Sequence, residues 1–556
     1  MLDWDNRRTF FRHIAQLGTL VFTLGARASR ATLAYPSSLG QRLQQALKIR
    51  QGTAAFQSAY PAGDQTTNGD ESLYPNLVGT FTKALPHNAL GEVDLNAYGT
   101  FIQAMQSGRH ADFENITIGY GRKLVNPQGA YAYALEGNDP VNSSLPPPPA
   151  LSSAEAAADM VELYWQAAAR DIAFSDYATS PVIQRAAAEL SALRGYSGPR
   201  DVNGQVTPGT IFRGPGAGNL IGPYVSQYLL KPVPFFSGLM EQQYRTGMPA
   251  VDYVKVYSEW LDTQSGIAPY NSEYFDSTPR YLRNGRDLAQ AVHYDHTYQF
   301  YTQAALIILD IRPETLLDAT PPSARPLYVL SDTNPYKRSR IQTGFVTFGP
   351  AHVCSWLGNV TAAALRACWF QKWCLHRRLR PDTFGGRVHN VLTGAAAYPI
   401  HPDLMQSEAV QLTVRQNGSA LLSQAYLESS PIHPSYPAGH AAIGGACVSV
   451  LKALFNEDAV VPSCYVPASD GLSLIPADGL GLTLGNELDK MAFNIGMGRD
   501  FAGIHYRSDV LAGLQLGEAV ATAFLQDQVN TFTEEFPGFH FTGFSGNKVT
   551  ILPNLS

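Results

Sequence analysis

Apolar residues recur at helical spacing along most of the chain. After Ser152-x-x-Glu155, a pairing of the capping-box type, Met160, Leu163, Tyr164, Ala167 and Ala168 fall at positions that predict an amphipathic helix. From Arg286 to Asp310 the apolar stripe runs Leu288, Ala291 and Val292, and its next position is Asp295. A carboxylate there is either paired in the interior, since an unpaired buried charge is costly, or marks where the face has turned to solvent. Residues 350–380 read as one long helix, with Leu365, Cys368, Trp369 and Lys372 at helical spacing and Pro381 as its stop. Another helix runs from Asn486, where Leu488, Met491, Ala492 and Ile495 share a face that Arg499 continues. Strands are expected only as short hairpins near residues 250–257 and at the C-terminus. The fold class expected is all-α, a mainly helical bundle protein with minor short β-hairpins.

The Pro146–Pro149 run and the Gly/Pro-rich stretches over residues 196–223 read as loops, which sets a helical region 37–223 before a second one, 224–556. A chain of 556 residues, 45% hydrophobic and 15% charged, is long enough for more than one packing unit. Its net charge of −6 gives no global basic field, which argues against nucleic acid as a partner, so an anion site has to be built from specific residues. No apolar run approaches the length of a membrane span. The five cysteines are odd in number and contain no CxxC pair, so buried free thiols are expected rather than disulfides or a zinc site. Asn6-Arg7-Arg8-Thr9-Phe10-Phe11-Arg12, the apolar stretch from Leu17 to Ala26 and the small-residue run to Ala31 resemble a twin-arginine export signal. Residues 1–36 are therefore read as a leader and the protein as exported. His13 and Gln16 interrupt the apolar region, and an amphipathic leading helix on a soluble intracellular protein is the alternative.

Three separated segments carry residues suited to an oxyanion. In the first, Lys372 to Pro381, Lys372 and Arg380 are eight positions apart and on one helix would project toward the same side. Arginines near a helix C-terminus also serve the helix dipole, so this segment alone decides nothing. In the second, His433-Pro-Ser-Tyr-Pro437-Ala438-Gly439-His440 precedes a helix from Ala441 to Phe455, with Pro437 suited to its first turn. Gly439 allows close backbone approach, and the free N–H groups of the helix start are a nest for an anion with His440 above it. An ordinary helix start with two structural histidines fits equally well. In the third, Arg499 adds a cation, His505 a neutral imidazole, and Asp509, one helical turn on, a partner for that imidazole.

Taken in this order, the segments resemble the signature shared by vanadium haloperoxidases and the related acid phosphatases: Lys…Arg-Pro, then Pro-Ser-Gly-His, then Arg…Gly-x-His-x-x-x-Asp. The stretches His376–Pro381, His433–Tyr436 with Gly439-His440-Ala441, and Arg499–Asp509 look like the red-algal and cyanobacterial bromoperoxidases, as do Phe81–His87, Arg286–Ala289 and Phe348–His352. The similarity spans most of the chain from about residue 40. It implies two four-helix bundles, with the vanadate site in the bundle core of one continuous catalytic unit within 224–556, and a homo-oligomer, the red-algal relatives forming dodecamers. It implies that His505 binds vanadium axially, that Lys372, Arg380 and Arg499 neutralise the vanadate oxygens, and that Gly439 donates its backbone N–H. His440 is then the acid–base group, His433 tunes its proton network, Lys372 polarises the peroxide, and Asp295 is a buried acid paired with an active-site arginine. The reaction implied is oxidation of bromide or iodide by hydrogen peroxide, with a small organic acceptor. Vanadium keeps its oxidation state, so no haem, flavin or redox-active cysteine is needed. Some relatives bind structural calcium, but Asp332 to Arg340 is basic, and no calcium site is expected there.

One position departs from the pattern. Ala438 stands where the motif has serine, so a hydroxyl donor is missing. Two other readings stay open: a phosphatase of the same superfamily with His505 as phosphoryl acceptor, and an oxyanion-binding protein without turnover.

Overall fold

The computed structural model describes residues 38–269, 272–310, 329–477 and 479–553. The expected leader, residues 1–36, lies outside them. Contacts divide the chain into Met1–Gly52 and Thr53–Ser556. In the first unit the described residues after Ser38 belong to the Leu39–Ser58 helix, which buries no side chain. Among its described residues the second unit is mainly helical and carries three two-stranded antiparallel hairpins, paired Val233↔Met240, Tyr465↔Pro476 and Phe539↔Ile551. The last is the expected C-terminal hairpin. Residues 250–257 form none; Tyr253 makes only a single bridge to Gln424. The other two hairpins have three-residue strands, too short for alternation to be read from sequence.

At the centre lies the helix Gly439–Leu454, of which every residue except His440 is buried. Pro350–Trp369, Leu484–Phe501 and Arg507–Gln528 pack around it. Its contact with Arg507–Gln528 is set by backbone: a Cβ at Gly517 would lie 2.1 Å from the Ala442 carbonyl oxygen, so glycine alone permits this approach. Leu484–Phe501 starts two residues before Asn486, where the Thr483 hydroxyl accepts from the Asn486 N–H at 3.4 Å. Ala154–Ala169 is capped by Ser153, whose hydroxyl accepts from the Ala156 N–H at 3.1 Å, one residue later than the Ser152–Glu155 pairing predicts. Met160, Leu163 and Tyr164 are buried as expected, with Ala167 and Ala168 partly so.

Two expected helices are interrupted. The stripe after Arg286 ends at Ala291, and the next helix starts at Gln299, so Asp295 sits on the connection. The helix from Pro350 ends at Trp369 and continues as a π-helical segment, Phe370–His376, before Arg377 turns left-handed at φ 37°. Pro381 does not stop a helix. It opens Pro381–Leu392 from the first turn, where its missing N–H costs nothing. None of the five cysteines forms a disulfide among the described residues, and Cys368, Cys447 and Cys464 are buried. No helix among the described residues is long and apolar enough to cross a membrane.

Candidate active site

Lys372 lies in the π-helical segment and Arg380 at the N-cap of the following helix, so the two do not share a helix face. Tertiary structure brings them together instead. Arg377 closes the π segment by donating to the Trp373 and Cys374 carbonyls at 2.9 and 3.0 Å, and the chain then runs extended into Arg380. Lys372 Nζ donates to the carbonyls of Pro434 and Ser435, both at 2.7 Å. Arg380 donates to the His433 and Ile504 carbonyls at 2.8 and 2.7 Å, to His505 Nε2 at 3.0 Å and to His433 Nδ1 at 3.0 Å. Arg499 donates from Nη1 to the Val292 carbonyl and lies over the Tyr426 ring at 5.4 Å, while its buried Nε makes no hydrogen bond.

All three cations are buried, and among the described residues none pairs directly with a carboxylate. Their partners are carbonyls and imidazole nitrogens. Desolvation shows in the acidity of Lys372 and Arg380: burial first, reinforced by the neighbouring arginines and opposed by Cys368 at the lysine and Asp509 at both, lowers Lys372 to about 7 and Arg380 to about 9. Three buried positive charges lacking an anion are an arrangement that a multiply charged oxyanion would stabilise.

Gly503 leads into His505. At φ 85°, with Gln424 Nε2 only 2.7 Å from where a Cβ would stand, it is a left-handed turn that glycine suits. His505 Nδ1 then faces Asp509 Oδ2 at 2.9 Å, while Nε2 accepts from Arg380. These partners assign the Nδ1–H tautomer and leave the Nε2 lone pair toward the cations. Burial, then Arg380, Lys372, Arg499 and His440, hold His505 well below the usual imidazole range, so it is neutral. That is the protonation state a metal ligand needs. His433 is likewise held neutral by burial and then by Arg380 and Lys372, with the Trp369 ring 5.0 Å away.

Gly439 and His440 open the central helix. Ala442 is the first of its residues whose N–H bonds back, to the Ala438 carbonyl at 3.0 Å, which leaves the amides of residues 439–441 as the helix-start donors. A Cβ on Gly439 would meet nothing nearer than the Trp369 ring at 3.7 Å, so chain packing does not demand glycine; space beside the amides does. His440 Nε2 pairs with Asp295 Oδ1 at 2.9 Å, the imidazole 26% exposed and the carboxylate 5%. Asp295 is thus a buried paired acid, but its partner is His440, not an arginine. Burial would raise its carboxyl, yet His440 and, more weakly, Arg499 outweigh burial and hold it below the ordinary value.

Sequence reasoning did not single out Arg378, Ser435 or Asp159. Asp509 accepts from Arg378 at 2.7 Å, from the Tyr506 N–H at 3.2 Å and from the Ser435 hydroxyl, besides His505. Arg378 also reaches Asp159 at 3.2 Å and stacks over Tyr506 at 3.8 Å. Within the run Arg377–Arg380 the following Pro381 marks the arginine that faces the site, and nothing marks the one that holds Asp509. Ala438 is fully buried and donates its N–H to the Asp509 carbonyl at 2.9 Å. Ser435, the nearby motif hydroxyl, already donates to Asp509 and does not replace the missing serine.

Three cations, helix-start amides and one imidazole lone pair suit a tetrahedral oxyanion whose central atom accepts a further ligand. The chain is 34% identical over 510 residues to a vanadium-dependent bromoperoxidase of Ascophyllum nodosum, an alignment covering 88% of each. The chain belongs to the vanadium-dependent haloperoxidase family. It is also 30% identical over 609 residues to a vanadium-dependent bromoperoxidase of Corallina officinalis, covering 92% of this chain and 99% of that one. The family model described as the VCPO second helical-bundle domain matches residues 352–534, the stretch holding Lys372, Arg380, Gly439, Arg499 and His505. The structure of the homohexameric second vanadate-dependent bromoperoxidase of Ascophyllum nodosum superposes with a TM-score of 0.88 at 29% identity, over 95% of this chain and 93% of that one. Membership is therefore carried by nearly the full length, not by the three motifs alone.

Proposed function

We propose that the protein is a vanadate-dependent bromoperoxidase: it oxidises bromide, and iodide, with hydrogen peroxide to hypohalous acid and so halogenates small organic acceptors. The observation that carries this reading is the group of three buried cations without carboxylates around the Nε2 lone pair of a neutral His505. Orthovanadate held there supplies a Lewis-acidic vanadium(V) centre that activates peroxide without changing oxidation state. His505 Nε2 would bind the vanadium, Lys372, Arg380 and Arg499 would neutralise the vanadate oxygens, and Gly439 would donate its backbone N–H. His440, with Nε2 held by Asp295, would be the acid–base group, its Nδ1 left free to hold or pass a proton. Lys372 polarises a peroxide oxygen by a charge-assisted hydrogen bond. His433 accepts from Arg380 and so tunes the proton network through that guanidinium.

Bromination of a phenolic dye by purified protein, in phosphate-free buffer with and without orthovanadate, tests the reading. Turnover that requires vanadate and peroxide is expected. Phosphomonoester hydrolysis without any halide oxidation would establish the phosphatase instead, and vanadate binding without either activity a non-catalytic oxyanion-binding protein.

Restoring the motif hydroxyl should tighten the site. A hydrogen bond to a charged group contributes about 1.5–3 kcal/mol, so Ala438→Ser is expected to lower the vanadate dissociation constant roughly ten- to a hundredfold. Titrating activity against vanadate measures it; an unchanged constant would mean another donor already serves that oxygen.

Anion binding should also be linked to protons. Burial holds Lys372 down at about 7, and an anion facing the ammonium raises that value again. Affinity is then full below about pH 7 and falls as pH rises beyond it, binding taking up a proton in that window. Calorimetry near pH 8 in buffers of different ionisation heat reads this uptake as the difference between wild type and Lys372→Met, which cancels the anion's own protonation. Equal uptake by both proteins would sink the assignment.

On the same reading the helices form two four-helix bundles, a view supported by the four helices packed together at the site. The chains assemble as a homo-oligomer, supported by the homohexameric relative; light scattering distinguishes six copies from the twelve of the red-algal enzymes. Residues 1–36 are a leader for export, and mass spectrometry of the secreted protein would find its cleavage.

A further inference from the structure

His293 lies two residues before Asp295 and takes no part in the oxyanion site. Its side chain is only 7% exposed, yet it stands between two carboxylates. Nε2 is 2.6 Å from Glu428 Oε1, a short hydrogen bond that in the neutral ring places the proton on Nε2. Nδ1 then carries the lone pair. It makes no hydrogen bond and faces Glu273 Oε1 at 3.4 Å, so two acceptors confront each other in a nearly closed space.

A proton on Nδ1 would relieve this, but a charge-assisted N–H···O bond closes to about 2.7–2.9 Å. The observed 3.4 Å instead matches the edge of a tetrahedron around a cation: ligand bonds of about 2.0–2.1 Å set nitrogen and oxygen roughly 3.4 Å apart. We propose that His293 Nδ1 and Glu273 hold a divalent first-row transition cation, with Glu428 orienting the imidazole from its other nitrogen. This is a carboxylate–histidine–metal arrangement, in which the outer carboxylate fixes the tautomer and makes the ring a better ligand. One ligand atom each from Glu273, His293 and Glu428 fall within 4.8 Å of one another, the two carboxylates flanking the ring from its two nitrogens. The Tyr294 hydroxyl, bonded to the other oxygen of Glu273, holds that carboxylate in place.

The location gives the cation a purpose. The connection bearing His293 also supplies the Val292 carbonyl to Arg499 and the Asp295 carboxylate to His440. His293 further stacks on Tyr426 at 3.7 Å, the ring beneath Arg499. A cation here would fasten the segment that positions both groups, without touching the oxyanion.

Zinc is the probe, titrated by calorimetry into the full chain loaded with vanadate, with bound metal counted after dialysis. Saturable binding of one Zn2+ per chain is expected, abolished by Glu273→Gln and weakened about 10–100-fold by Glu428→Gln, the loss usual for an outer partner of a metal ligand. Circular dichroism of both variants confirms folding. Absence of saturable binding in wild type, or equal binding in Glu273→Gln, would overturn the proposal, and neither result bears on whether bromide is oxidised.

Discussion

Replacing His505 by alanine is expected to abolish vanadate-dependent bromination while the protein stays folded. Loss of an outer partner of a metal ligand costs about 10–100-fold, so loss of the ligand itself should exceed about 100-fold. The fold survives because Asp509 keeps three of its four donors, Arg378, Ser435 and the Tyr506 N–H, when the imidazole is removed. The stability lost is then that of an ordinary buried truncation, about 1–3 kcal/mol. Steady-state rates at saturating vanadate, set beside urea unfolding of the same preparations, separate the two effects. Turnover within tenfold of wild type would remove His505 from the site; unfolding in water would show it to be structural.

The second large effect is the reverse case. Asp509→Ala is expected to destabilise the protein by about 3–5 kcal/mol, the usual result of removing one partner from a buried charge pair. Arg378, 2% exposed, would be left with Asp159 at 3.2 Å as its remaining carboxylate. The Arg507–Gln528 helix would also lose the carboxylate that accepts the N–H of its N-cap residue, Tyr506. Asp509→Asn keeps the shape and an acceptor, so it should lose less stability than alanine but still release the His505 tautomer and lower turnover. Urea denaturation of both variants decides: a loss under about 1 kcal/mol for alanine would mean that Asp159 alone suffices for Arg378.

These two residues also show what the sequence could reveal. The His505–Asp509 pair is legible because four positions along a chain entering a helix is a local distance. The Leu484–Phe501 helix is legible for the same reason, since its apolar stripe is contained within it, although its start falls two residues before Asn486. The break after Trp369 is not. Nothing between Lys372 and Arg380 forbids a continuous helix; the turn at Arg377 is held by Glu71, about three hundred positions away, at 2.8 Å. Lys372 and Arg380 come together by tertiary structure and not along one helix face, a geometry their eight-residue spacing does not encode. The apolar stripe leaves open whether Asp295 is buried and paired or turned to solvent; the structure buries it against His440, a partner set by where the connection after Ala291 meets the central helix. Arg378 and Ser435 remained silent because their role lies in a third residue they share.

The close backbone contact at Gly517 bears on residence time. With Ala442 locked against the neighbouring helix, the amides of residues 439–441 have little freedom to follow a departing anion or to close around an arriving one. Their ordering is complete before any ligand is present, so little entropy is left to be lost on binding. Affinity gained this way accumulates in the dissociation rate rather than in the encounter. The bound oxyanion should therefore exchange slowly with solution, and an emptied site should still be shaped to receive it.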